Sequence, residues 1–368
     1  MLNKANCKLN SINYSNKMKK ISFVILLFSI VYMLNAQVYS IEGRSPKFSY
    51  AGRFLAAISN NRPEIYGLKG EKMKGFDGHK KLVMEYCIAK NGKLLVTGDI
   101  SGMVMVWNIQ EGTLAGKYKM PVKTLVHLAL SNDGKYIAVG NRKAMFEEIF
   151  IFNLETQQTV TKISDSFIGD FKFSPDSKFL IKMSNNELKV WSTQTWTLEK
   201  TLKSHTQPIT AFDINITGNL VVTVALDKTL KMWDFDKAML KATFNAHKVN
   251  ISDVAFHPNG TQVASVADDG MLNFWDIEAN KLLYSNDMKG FGRNISFGPE
   301  GTLIAISGGV GKYARVKVYK TDELRGVPSN ADALVVDNGQ SENNSNNKSE
   351  ALPVIAWKTP ESVYVNST

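Results

Sequence analysis

Short runs in which apolar and polar residues alternate recur along the chain, joined in pairs by turns of Gly, Asn and Asp. Examples are LALSNDGKYIAVG at 128–140, FKFSPDSKFLIKM at 171–183, AFDINITGNLVVTV at 211–224 and AFHPNGTQVASVA at 255–267. Period-two alternation over four to seven β-forming residues, bounded by turn formers, predicts antiparallel strands. Downstream of each pair a third run ends on an aromatic residue: VMVW at Trp107, LKVW at Trp191, LKMW at Trp233 and LNFW at Trp275. Trp191, Trp233 and Trp275 stand 42 residues apart. Phe152 and Tyr319 occupy the same slot at spacings of 45, 39 and 44 from their neighbours, and Tyr66 precedes Trp107 by 41. From residue 37 onward no segment keeps a helical period for three turns. Each repeat therefore predicts about four strands.

A four-stranded unit repeated at this period is the pattern of a propeller blade. Aromatic strand ends at 66, 107, 152, 191, 233, 275 and 319 predict a seven-bladed β-propeller of four-stranded antiparallel blades, all-β, over residues 37–321. An Asn/Ser-rich insertion at 322–350 reads as disordered. Residues 351–368, with VIAWK and SVYVN, read as a terminal hairpin that closes the ring with residues 38–42 or extends it. An eighth blade, or a ring completed by sequence further downstream, stays open as an alternative.

The strand ends also carry a resemblance. Trp233-Asp234 and Trp275-Asp276 are tryptophan–aspartate pairs, Trp107-Asn108 and Trp191-Ser192 are weakened forms, and His79, His205 and His247 each precede their Trp by 28 residues. The chain resembles the WD-repeat β-propellers over residues 38–320. The resemblance implies a structural hydrogen-bond tetrad in two blades: His205, Thr223, Asp227 and Trp233, then His247, Ser265, Asp269 and Trp275. The chemistry suits the residue types, since an indole N–H only donates, a hydroxyl does both and a carboxylate accepts from an imidazole. The Trp107 copy has His79 and Thr97 but Ser101 in the aspartate place, so the blades of Trp233 and Trp275 are expected to be the most rigid. The blades of Phe152, Trp191 and Tyr319 lack the histidine and are expected to rest on apolar packing alone.

Residues 1–36 form a leader: Lys17-Met-Lys-Lys, then the uncharged ISFVILLFSIVYML at 21–34, then Asn35-Ala36. That is the order of a secretory signal peptide, with Met18 the expected start and export to the periplasm or the exterior of a bacterial cell implied. The alternative is an anchor formed by residues 21–34, and only an uncleaved leader would bring a membrane into the picture. The formal charge of +10 falls to +5 without the leader, because 39 basic residues then face 34 acidic ones. The remaining lysines are scattered, so a nucleic-acid partner is not expected. Cys87 alone remains beyond the leader and reads as a buried structural thiol.

Candidate chemistry is sparse. SGGVGKY at 307–313 lacks the first glycine and the final Ser/Thr of a phosphate loop and joins two strands. No residue set suggests catalysis, a metal or a cofactor, so a non-enzyme is expected. Inner strands reading LALS, FKFS, AFDI, VAFH and ISFG are mostly apolar, which counts against a ligand in the central channel. The resemblance implies a non-catalytic scaffold outside the cytoplasm that holds a protein or peptide of unknown identity on the propeller rim. Alternatives are the propeller part of a larger envelope protein with an enzymatic domain downstream, and a small-ligand or enzymatic propeller. Two copies space their second strand and aromatic by 16 residues instead of 13, from Tyr136 to Phe152 and from Leu303 to Tyr319. Their longer loops carry Arg142, Lys143, Phe146, Lys312 and Tyr313, the partner-binding candidates.

Overall fold

Turns with a residue in the left-handed region fold each apolar run back on the one before. Gly134 and Gly260, each at φ 75°, sit where a side chain would strain the turn. The computed structural model describes residues 37–143, 146–165, 169–309 and 313–324. Seven four-stranded antiparallel sheets result. Blade 1 comprises Arg44–Phe48, Leu55–Ser59, Arg62–Tyr66 and Lys72–Gly75; blade 2 Val83–Ile88, Leu94–Asp99, Met103–Asn108 and Leu114–Lys119. Blade 3 comprises Leu125–Leu130, Tyr136–Lys143, Phe146–Asn153 and Gln158–Asp165; blade 4 Phe171–Phe173, Phe179–Ser184, Glu187–Ser192 and Leu198–Lys203. Blade 5 comprises Ile209–Ile214, Leu220–Ala225, Thr229–Asp234 and Met239–Asn245; blade 6 Ile251–Phe256, Gln262–Ala267, Met271–Asp276 and Lys281–Asp287. Blade 7 takes Phe291–Phe297, Leu303–Gly308 and Arg315–Lys320 from one end of this region and Gln37–Glu42 from the other.

The seven-bladed, all-β expectation therefore holds. The leader, Lys312, residues 325–350 of the predicted insertion and the predicted hairpin at 351–368 lie outside the described residues. Closure is made by Gln37–Glu42, whose Ser40, Ile41 and Glu42 pair with Lys317, Val316 and Arg315. The insertion's first residues, Asp322–Leu324, form a 3-10 turn, with Leu324 buried between blades 6 and 7 and its carbonyl accepting from Asn286 Nδ2 at 2.6 Å.

The core is divided among the joints between blades. Seven apolar clusters each draw on two neighbouring blades, including Phe54, Ile65, Phe76, Tyr86 and Trp107 across blades 1 and 2. Val222, Phe244, Ile251 and Trp275 fill the joint of blades 5 and 6, and Ile41, Leu55, Tyr66 and Val318 fill that of blades 7 and 1. The aromatic strand end is thus a wedge against the preceding blade, which is why it recurs once per repeat.

Successive side chains of the inner strands point to opposite faces, toward one neighbouring blade or the other, along the border of the channel. The register places Lys47, Cys87, Ala129, Lys172, Asp213, Ala255 and Ser296 at one level, opposite Ala56, Val96, Ala138, Ile181, Val222, Ala264 and Ala305 of the second strands. The expectation of an apolar channel is corrected here, because the apolar residues of those runs point into the joints. Most of the channel-facing polar groups bind the next blade. Lys47 Nζ donates to Glu85 Oε1 at 2.8 Å and the Tyr86 carbonyl at 2.9 Å, and Lys172 Nζ to the Phe212 carbonyl at 2.8 Å and Asp213 Oδ1 at 3.2 Å. Asp213 accepts from the Phe256 amide and Asp253 from the Ile295 amide, each at 2.9 Å. Ser296 Oγ accepts from the Phe48 amide at 3.3 Å across the closing joint. Cys87 Sγ donates to the Leu128 carbonyl at 3.1 Å, and burial pushes its thiol up to about 12, as expected of a structural thiol.

Deleting Gln37–Glu42 should expose Arg315–Lys320 as an unpaired edge and open the joint to blade 1. The expected result is aggregation on size-exclusion chromatography and loss of a single cooperative melt; a monomer with an unchanged melt would contradict closure by this strand.

Candidate functional site

Strand direction sorts the connections into two rims. Loops entering the inner strands and turns joining second to third strands share one rim, here the loop rim. The remaining turns form the opposite rim. The histidine positions and both long hairpins lie on the loop rim, so the site is built there.

The tetrad geometry differs among the three histidine blades. In blade 5, His205 Nδ1 lies 2.9 Å from Asp227 Oδ2, its Nε2 lies 2.7 Å from Thr223 Oγ1, and Trp233 Nε1 donates to the same hydroxyl at 2.9 Å. Thr229 Oγ1 donates to Asp227 Oδ1 at 2.6 Å and the Thr206 amide to Oδ2 at 3.0 Å. Burial opposes ionisation of Asp227, but these hydrogen bonds, His205's first, outweigh it and hold the carboxyl well below the usual range. Blade 2 makes the same chain with an acid missed in the sequence. His79 Nδ1 lies 3.0 Å from Asp99 Oδ2 and Nε2 2.7 Å from Thr97 Oγ1, to which Trp107 Nε1 donates at 2.9 Å. Asp99 ends the second strand and Ser101 lies in the turn that follows, where its hydroxyl donates to Asp99 Oδ1 at 2.6 Å.

Blade 6 departs from the expected tetrad. His247 Nε2 lies 2.8 Å from Ser265 Oγ and Trp275 Nε1 donates to it at 3.0 Å, but Nδ1 faces Asn273 Nδ2 at 3.5 Å. Asp269 is exposed and accepts from the Met271 amide at 3.0 Å instead. The reason lies two residues on. Thr229 and Ser101 supply a hydroxyl that turns the carboxylate inward, and Met271 has none. Burial pushes the His247 imidazole down to about 4, against the attraction of Asp269. Expected rigidity from complete tetrads thus moves from blades 5 and 6 to blades 2 and 5.

Blade 4 corrects a second expectation, of apolar packing alone. Lys182, fully buried, stands where blades 2 and 5 have Thr97 and Thr223, and its Nζ lies 3.2 Å from Glu147 and 3.5 Å from Asp165 of blade 3. Lys189 reaches Asp165 Oδ1 at 3.0 Å, and Ser184 Oγ donates to the same oxygen at 3.1 Å. A lysine in a run of β-formers reads as surface, so nothing in the pattern marks this network.

Of the partner-binding candidates, Arg142, Lys143 and Phe146 lie together in blade 3, and Tyr313 stands in blade 7, on the far side of the ring. Blade 3's extra residues lengthen the strands themselves: Arg142 pairs with Glu147 and Lys143 with Phe146. The Lys143 ammonium lies 5.5 Å over the Phe146 ring. Phe146 and Tyr313 keep 39% and 68% of their surfaces exposed, large values for aromatic side chains.

Asp227→Ala and Asp99→Ala should each cost about 1–3 kcal/mol by leaving a buried His and hydroxyl short of a partner, and Asp269→Ala much less. Urea unfolding checks this, and equal losses at all three positions would refute the distinction. His247 carries a pH signature. Its folded value, about 4, lies below its ordinary 6.5, so the unfolded chain takes up a proton first. Stability relative to His247→Asn should be full above pH 6.5 and fall as pH drops toward 4.

Three segments, residues 70–108, 196–234 and 239–276, match the WD domain, G-beta repeat. They end at the strands of Trp107, Trp233 and Trp275, the three histidine blades. The chain is 25% identical over 201 residues to eukaryotic translation initiation factor 3 subunit I of Drosophila ananassae, covering 50% of this chain and 61% of that protein. It is 22% identical over 181 residues to a putative BTB/POZ domain and WD-repeat protein, R61, of Acanthamoeba polyphaga mimivirus, covering 48% of this chain and 34% of that one. Small ribosomal subunit protein RACK1 of Schizosaccharomyces pombe is 27% identical over 126 residues, 31% of this chain and 38% of RACK1. The geometry makes the chain a seven-bladed β-propeller, and three of its segments, ending in blades 2, 5 and 6, match the WD repeat.

Proposed function

We propose that this propeller is a non-catalytic protein-interaction scaffold acting outside the cytoplasm and holding a protein or peptide on its loop rim. The observation that carries the reading is the exposure of Arg142, Lys143, Phe146 and Tyr313 at the second-to-third-strand connections of blades 3 and 7, on that rim. Exposed aromatic and arginine side chains are the types that anchor interfaces. Similarity to a translation-factor subunit, to RACK1 and to a viral WD-repeat protein supports a binding role. The channel's polar groups are largely engaged in holding neighbouring blades, which favours the rim as the binding surface. The leader pattern at 17–36 supports export, and cleavage after Ala36 would leave Gln37, the first residue of the closing strand, as the new N-terminus.

Replacing Arg142 and Lys143 with Glu, and Tyr313 with Ala, should weaken capture of the partner recovered by wild-type protein from envelope extract about tenfold or more, with the melt unchanged. Undiminished capture by both variants would place the site elsewhere. N-terminal sequencing of protein recovered outside the cytoplasm should read from near Gln37; cytoplasmic protein retaining residues 18–36 would overturn export.

A further inference from the structure

The loop rim has an uneven distribution of charge, and the unevenness has a backbone. Asn61, in the turn between the second and third strands of blade 1, accepts from the Val83 amide at 2.7 Å and donates to the Lys81 carbonyl at 3.3 Å, fixing the loop that enters blade 2. The Leu82 carbonyl accepts from the Ile100 amide at 2.8 Å, and the Ile100 carbonyl from the Leu125 amide at 3.0 Å. Next, Asn141 Oδ1 accepts from the Lys123 and Thr124 amides at 2.9 and 3.3 Å, and the Arg142 amide donates to the Thr124 carbonyl at 2.9 Å. A continuous hydrogen-bonded ribbon thus runs from the blade 1 turn to the blade 3 hairpin.

Lys80, Lys81, Lys123 and Arg142 ride on this ribbon, all exposed. Among the described residues, none of the four has a carboxylate within ion-pair distance, whereas Lys143 reaches Glu148 at 3.9 Å. Leu82 and Phe146, 49% and 39% exposed, are interleaved with them. The rim over blades 5 to 7 is different, because Lys228, Lys248, Lys289 and Arg293 there stand among exposed Asp268, Asp269 and Asp287, whereas exposed Asp77 on the arc over blades 1 to 3 is paired with Arg62 at 3.0 Å.

We propose that the arc over blades 1 to 3 is the seat of an acidic protein segment, with Lys80, Lys81, Lys123 and Arg142 meeting its carboxylates and Leu82 and Phe146 meeting an apolar residue between them. The proposal rests on the scaffold reading above and narrows it to one arc and one partner chemistry. Unpaired cations on a rigid ribbon lose little on binding: no existing ion pair is broken and the loops are already ordered. Clustered like charge also raises the encounter rate with an acidic partner. An extended segment suits the arc, since its anchors lie on three successive connections.

The test uses a fluorescein-labelled peptide of six glutamates with two central leucines, followed by polarisation at 50 and 300 mM salt. Replacing Lys80, Lys81 and Lys123 with Glu should weaken binding at least tenfold. The equal-sign control Lys228→Glu with Lys248→Glu should change it less than about threefold, and salt should weaken wild-type binding several-fold. Equal losses in both variants, or no binding by wild type, would overturn the acidic arc. The wider reading is decided separately: if the partner recovered from envelope extract binds the Lys80/Lys81/Lys123 variant as tightly as wild type, the arc fails and the scaffold stands. If the hairpin variants of blades 3 and 7 also bind it unchanged, the loop-rim reading fails too.

Discussion

Every blade of this propeller has half of its core in its neighbour. A four-stranded sheet of this size cannot bury both faces alone, so each joint is a shared apolar layer and the ring is stable only when all seven joints exist. The pairing of Gln37–Glu42 with Arg315–Lys320 supplies the last of them. It brings the two ends of the described region into one sheet, removes the open edge that a linear array would keep, and sets the long-range character of the fold. Loop-closure entropy must be met before that contact forms, so the final joint is the natural point of vulnerability.

Polar groups then fix how the joints align. In blades 2 and 5 a His–Thr–Trp chain with an aspartate ties the entering loop to the third strand. Between blades 3 and 4 a buried lysine and two carboxylates fill the equivalent place. Such a buried ion pair is weak evidence for added stability, since desolvation offsets most of the attraction. It does penalise any misalignment that would leave Lys182 or Glu147 without its partner. Around the channel, side chains of one inner strand grip the backbone of the next, as Lys172 does with Phe212 and Asp253 with Ile295. Although burial disfavours charge there, Asp213 and Asp170 hold the Lys172 ammonium above its ordinary value. Asp253 shows the opposite balance, with burial pushing it up to about 6.

A frame stitched in this way leaves the loop rim free to vary. Lengthened hairpins and unpaired lysines there break no joint, so composition can drift toward a partner's chemistry without cost to the fold. Identities of 22–27% to three proteins, over 31–50% of this chain, fit a scaffold whose joints tolerate exchange among apolar residues.

Blade number, the four-stranded unit and the strand-end positions of Trp107, Trp191, Trp233 and Trp275 were legible in the sequence, because strand period and repeat spacing are local properties; their role as wedges was not. So were His205, Thr223, Asp227 and Trp233, whose spacing carried their resemblance to a WD repeat. Asp99 was hidden because it stands at the end of the second strand, two residues before the expected place, and only the folded turn brings its carboxylate to His79. Asp269 misled because its inward turn depends on a neighbouring hydroxyl that Met271 lacks. Lys182 and the channel groups were invisible for a different reason: their partners lie in another blade, some forty residues along the chain for Lys172 and Asp253. Which face of a strand meets a neighbour, and which charged groups meet across a joint, is decided only when the ring is assembled.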